Sequence, residues 1–230
     1  MPQPDALAPR PPRGRGRPKR SAAENELTRL AIRQAGRQVM AEHGYHGVSV
    51  ELILRSAGLS RATFYRYFNN AQEVIELVLQ DVNDRLIESV ITAVRQAQGP
   101  LQKVEAGLLA WRRWGEETGP LLRAIFAEMH DAQSPAHGHR QRVLDAVQTE
   151  LNAAAAALGR RPFDPLQVEA FVIGVEYLGY RFHFGPDGPT DSAWARTRQA
   201  MLRLAVGLLG GALEWGNARQ LAEVLDISLD

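Results

Sequence analysis

The chain contains no cysteine. That excludes disulfides and thiolate metal centres, and it suits a reducing compartment. Long apolar runs are missing too: nothing approaches the roughly 18–20 residues that cross a bilayer as a helix. Residues 1–20 hold almost no large apolar side chains, so they lack the apolar stretch of a signal peptide. No export or membrane signal is legible, and the expected location is the cytoplasm. Sustained strand alternation is absent, as is any repeat with a period of about 20–50 residues. There is no Gly-rich phosphate loop, nucleophile elbow or His-Glu-x-x-His segment. No catalytic residue, cofactor or metal is therefore expected.

What is present is enough apolar material for a core: 45% of 230 residues are hydrophobic, which sets the chain apart from disordered ones. Length alone fits one large domain or two small ones. The formal charge of +1 conceals a strong asymmetry. Residues 1–20 carry six basic side chains (Arg10, Arg13, Arg15, Arg17, Lys19, Arg20) against Asp5, a net +5; residues 21–68 carry +2 and residues 69–230 carry −6. A polyanion docked at the basic end explains this, and so does a solubilising tail.

The six prolines among residues 1–20 predict a basic arm, disordered when free, over 1–22. From about Ala23 the apolar residues Leu27, Leu30, Ala31, Ala35, Val39 and Met40 recur at three- and four-residue spacing, which predicts a helix stopped at Gly44. Ser49 is positioned to cap a short helix to about Ser56, with Leu52 and Ile53 inward. Ala57-Gly58-Leu59 reads as a tight turn, and Ser60 caps a second short helix from Arg61 to about Tyr67. Two short helices around such a turn fit a helix-turn-helix, and equally a plain helical hairpin. A long helix follows Asn69-Asn70 and ends at Gly99-Pro100. Further helices are expected at about 101–117, 120–131, 136–158, 165–184 and 191–214, with a weak one near 217–227. The predicted fold is all-α: an N-terminal three-helix helix-turn-helix unit over 23–69, then a helical body over 70–230.

Residues 44–68, GYHGVSVELILRSAGLSRATFYRYF, resemble the DNA-binding signature of the TetR/AcrR family of transcription regulators. The matching positions are Gly44-Tyr45, Ser49, Ala57-Gly58-Leu59-Ser60 and Thr63-Phe64-Tyr65-Arg66-Tyr67-Phe68. A recognition helix needs small or polar side chains at its N-terminal end, where base edges are reached. Arg61, Ala62 and Thr63 stand there: Arg61 suits guanine, and Ala62 or the Thr63 methyl suits a thymine methyl. Ser49, Tyr65 and Tyr67 suit the phosphate backbone, Ser60 and Arg66 are further DNA-binding candidates, and Phe64 and Phe68 face the core. Packing is the competing role for Tyr65. Two positions depart from the family pattern: Ala71 stands where a backbone-contacting Lys is usual, and Leu54 where Ala is common. The first leaves contacts at that helix start to Asn69 or Asn70.

Arg15-Gly16-Arg17-Pro18 resembles the core of an AT-hook, in which Arg-Gly-Arg lies in a narrow A·T-rich minor groove. Nonspecific phosphate contact by the tail is the alternative. The TetR resemblance also implies a homodimer on a palindromic operator, repression as the usual mode, and a small-molecule effector. The last two long helices would pair across the two-fold axis, with Val168, Val172, Val175, Gly179, Ala205, Leu208 and Leu209 suited either to that contact or to the subunit core. Trp111, Trp114, Phe126, Met129, Tyr177, Tyr180, Phe182 and Phe184 concentrate where an effector pocket for a hydrophobic or amphipathic molecule is expected, or form ordinary core. Glu176, Arg181 and His183 are its candidate polar anchors.

Two other classes compete. His130, Asp131, His137 and His139 have the residue types of a metal enzyme, but Gln133-Ser134-Pro135 between them reads as a loop, and a solvated turn is expected. An architectural A·T-tract binder would use the arm alone and discriminate weakly among sequences.

Overall fold

The computed structural model describes residues 21–210, and the arm with Arg15 and Arg17, like the helix expected near 217–227, lies outside the described residues. Nine helices and no strand occur among them: α1 (Ala22–His43), α2 (Val50–Ala57), α3 (Arg61–Phe64), α4 (Ala71–Gln96), α5 (Pro100–Thr118), α6 (Leu121–Glu128), α7 (Pro135–Ala157), α8 (Pro165–Phe184) and α9 (Asp191–Leu209). None is long and apolar enough to cross a membrane.

Local chemistry sets most of these boundaries. Ser49, Ser60 and Asn70 each accept a hydrogen bond from a backbone N–H in the first turn they open, at 3.3, 3.2 and 2.8 Å. Ser21 and Glu24 form a reciprocal capping box at α1. Pro stands in the first turn of α5, α7 and α8, where its missing N–H costs nothing. Gly58 closes α2 in the left-handed region, with φ 64° and ψ 33°, a conformation that side chains disfavour.

Three helices are shorter than expected. Helix α3 ends at Phe64, and Tyr65 to Tyr67 continue as turns that place Phe64 and Phe68 in one core. Helix α6 stops at Glu128 instead of reaching residue 131. Helix α9 ends at Leu209, before Gly210.

Two cores result. Ile32, Ala35, Val39, Ile53, Phe64, Phe68, Ala71 and Val74 close the small N-terminal unit. A larger core joins α4 to α9 through residues such as Leu79, Leu121, Leu122, Met201 and Leu202. Helix α4 belongs to both: Ala71 and Val74 pack in the first, Ile75, Val78 and Val82 in the second. Val168, Val172, Val175, Gly179, Ala205 and Leu209 are buried inside the chain, so here the subunit-core role holds for them. The outward stripe of α8 is instead Leu166, Ile173, Tyr177 and Tyr180.

Candidate nucleic-acid interface and ligand cavity

Within the small unit, Ile53 and Phe64 are wholly buried and Phe68 nearly so. Burying Phe64 and Phe68 turns the intervening residues outward. Arg61, Ala62, Tyr65 and Arg66 are exposed together, with Ser60 beside them and Thr63 half-buried. The Ser49 and Ser60 hydroxyl oxygens accept the cap hydrogen bonds, and the Ser60 hydroxyl also meets the Thr63 hydroxyl at 3.0 Å. The Tyr67 hydroxyl donates to the Asn25 side chain of α1 at 2.7 Å, which ties the turn after α3 to α1. At the start of α4, Asn69 donates to Glu73 while Asn70 accepts from it, so both asparagines are engaged in the cap.

The sequence reading missed Glu51. Its carboxylate, on the first turn of α2, forms an ion pair with the Arg61 guanidinium at the start of α3. Ten residues and a turn separate them, so no helical spacing announces the pair. The contact holds an exposed basic group of the segment beside an acid, in a position to fix the direction of its fork.

Polar contacts join the small N-terminal unit to the body. Arg33 pairs with Asp81 at 3.0 Å, Arg37 donates to the Thr118 carbonyl at 3.0 Å at the end of α5, and His46 meets Glu128 at 3.4 Å at the end of α6. Burial holds the Arg37 pKa below its usual value, helped by Arg85. Burial raises that of Tyr45, with Glu128 adding to the effect.

The body encloses a cavity of about 540 Å³ among helices α4 to α9, within the range of small-molecule sites. Trp111, Trp114, Phe126 and Met129 line it. Tyr177, Tyr180, Phe184, Arg181 and His183 do not, a correction to the expected lining. The reason is rotation of α8: Phe171, Val172, Val175 and Glu176 face inward, which turns Tyr177 and Tyr180, 61% and 38% exposed, to the other side. Both sides of α8 are apolar, so periodicity alone could not say which goes in. Phe182 is buried edge-on against Trp194, with ring centroids 5.3 Å apart.

His183 packs against Trp111, its Nε2 is buried without a hydrogen-bond partner, and burial lowers its pKa. Helices α5 and α8 approach closely because Gly179 lies under the Trp111 ring. The polar part of the cavity was only half legible. Glu176 was expected, but its partner Arg140 on α7 carried no signal among the other polar residues there. The guanidinium meets the carboxylate through Nε at 3.1 Å and Nη2 at 3.0 Å. Burial raises the Glu176 pKa while Arg140 opposes the rise. The histidine stretch forms no metal site: no group of three or more His, Asp or Glu could hold an ion among the described residues. His139 instead meets Glu76 at 3.0 Å.

Residues 32–78 match the family of bacterial regulatory proteins called tetR. The transcriptional activator FasR of Mycolicibacterium smegmatis is 29% identical over 51% of this chain, and the chain spans about half of FasR, 52%. The transcriptional repressor AcnR of Corynebacterium diphtheriae is 26% identical over 75% of this chain and 88% of its own length. Among solved structures, the regulator FadR of Bacillus subtilis in complex with stearoyl-CoA superposes with a TM-score of 0.64 at 15% identity, covering 79% of this chain and 98% of that one. At that identity the likeness is one of fold.

Proposed function

Because this chain belongs to the TetR family of DNA-binding transcription regulators, we propose that it is a homodimeric repressor, released from a palindromic operator by a small hydrophobic or amphipathic molecule. The observation that carries this reading is the surface formed by Arg61, Ala62, Tyr65 and Arg66, held outward by the burial of Phe64 and Phe68. Arg61 reads guanine in the major groove, and Ala62 with the Thr63 methyl meets thymine. Tyr65, Arg66, Ser49 and Ser60 hold phosphates, with Tyr67 at the margin. Arg15 and Arg17 of the arm enter the flanking minor groove.

One reading unit spans only part of a site, so two are needed, about 34–36 Å apart or a multiple of that. The exposed stripe Leu166, Ile173, Tyr177 and Tyr180 of α8 supports self-association, and the open space over Gly207 of α9 suits a close neighbour. The effector occupies the cavity. Helix α6 contributes Leu122, Ile125 and Phe126 to it and packs against α1, so its position affects both regions. To release DNA, the effector must favour one spacing of the two reading units over the other.

Selection from random duplexes with the full chain tests this. Expected is a two-fold symmetric site preferred over random DNA by roughly 10³–10⁷; a far smaller ratio favours the architectural reading. Deleting residues 1–20 is expected to weaken binding and flatten its salt dependence by about 0.9 in log–log slope for each phosphate no longer neutralised. Unchanged affinity and slope on A·T-flanked DNA removes the arm from the account.

A further inference from the structure

The pairing of Arg140 with Glu176 restricts what the cavity can hold. The two side chains are 4% and 10% exposed, and both line a cavity whose wall is otherwise largely apolar. Taking two charges out of water is costly for each ion, and apolar residues of similar volume often serve stability as well or better. Packing alone therefore gives little reason for the pair. Its unused capacity is more informative. Nε and Nη2 of Arg140 are committed to Glu176, whereas Nη1 makes only a longer ion pair with Glu169 at 3.6 Å, beyond hydrogen-bond length. Asn83 of α4 also lines the cavity; its Nδ2 donates to the Leu79 carbonyl, which leaves its oxygen as an acceptor.

Depth and charge then select the occupant. The exposed lining residues Pro100, Gln102 and Leu158 mark the mouth, while Trp111, Trp114, Leu122, Arg140 and Glu176 are buried. Whatever part of a ligand meets Arg140 has left water. An ionised carboxylate there meets a guanidinium already neutralised by Glu176, with Glu169 close by, and its desolvation goes uncompensated. A cation meets the guanidinium itself. A bare hydrocarbon end leaves Nη1 with the distant Glu169 carboxylate and no hydrogen-bond acceptor. A neutral oxygen avoids all three penalties: it accepts from Nη1, and as a hydroxyl it also has a proton to donate.

We propose that the cavity takes a neutral long-chain molecule that enters with a hydroxyl or carbonyl group foremost and places that oxygen on Nη1 of Arg140. The proposal rests on the cavity being the effector site, and the two are separable by experiment. Calorimetric titration of the full chain with octan-1-ol, octanoate, octyltrimethylammonium and octane at about pH 8, where the acid is ionised, is expected to give octanol a Kd at least about tenfold below the other three. Tightest binding by octanoate or the ammonium, or equal binding by octane, overturns the proposal and leaves the cavity reading intact. No binding by any of the four overturns both. The double variant Arg140→Met with Glu176→Met keeps side-chain bulk and removes both charges and every N–H donor there; it is expected to erase the margin of octanol over octane. A margin that survives in the folded variant also overturns the proposal, and if that variant does not fold, the four ligands on the unaltered chain decide.

Discussion

The small N-terminal core is closed by Ile, Ala, Val and Phe, the core of the body adds Leu, Met and Trp, and the two differ most in what they enclose. Ile32, Ile53, Phe64 and Phe68 fill the first, with exposures between 0 and 1%. The second surrounds about 540 Å³ of open space and keeps a buried ion pair beside it. A filled core transmits the loss of any one side chain to the whole unit, because close-packed interiors have little slack. A core with a void has somewhere for its walls to move. The reading unit is thus fixed in shape, the body is adjustable, and α4 runs through both.

The largest expected effect tests that contrast directly. Phe64→Ala should cost about 3–5 kcal/mol of stability and abolish DNA binding, because its cavity opens where nothing can collapse. Phe126→Ala, at a side chain already bordering open space, should cost clearly less. Urea denaturation of both variants measures this, and equal costs would break the comparison.

Next comes close packing at the cavity's rim. A Cβ on Gly179 would lie 1.7 Å from the Trp111 ring, so Gly179→Ala should destabilise by about 1–3 kcal/mol through overpacking. If Trp111 swings into the cavity, the loss falls near the lower value and ligand affinity drops; calorimetry on the folded variant reads both.

At the reading surface, Arg61→Ala should weaken specific binding by about 1–3 kcal/mol with little change in stability. Removing its partner should act differently. Glu51→Ala frees the guanidinium, so preference for guanine is expected to relax while nonspecific binding strengthens; repeating the duplex selection shows whether base preference depends on the pair.

The smallest effect is on pH dependence. Burial lowers the folded-state pKa of His183 below its ordinary 6.5, and burial, then Arg140, lowers that of His130. The unfolded chain therefore binds more protons, and stability should fall as pH drops below about 6.5 toward the depressed folded values. His183→Gln should flatten this slope in thermal melts between about pH 7 and 5. An unchanged slope would assign the effect elsewhere.

Local signals carried much of this molecule. Ser49, Ser60 and Gly58 mark the helix-turn-helix because capping and left-handed turns depend on neighbours in sequence. Phe64 and Phe68 could be placed inward for the same reason, since four-residue spacing puts them on one side. The early end of α3 could not be read so easily: Tyr65 to Tyr67 have helical neighbours, and it is the packing of Phe68 that draws them into turns.

Sequence by itself determined the all-helical architecture and the place of the two short helices around Gly58, since these follow from periodicity, caps and turn chemistry within short stretches. Tertiary structure decided which side of α8 faces the cavity, that Arg140 finds Glu176, and that Glu51 meets Arg61. Those outcomes depend on how distant helices rotate against one another. A helix apolar on two sides, or a charge whose partner lies 36 residues away, leaves no local periodicity from which to read them.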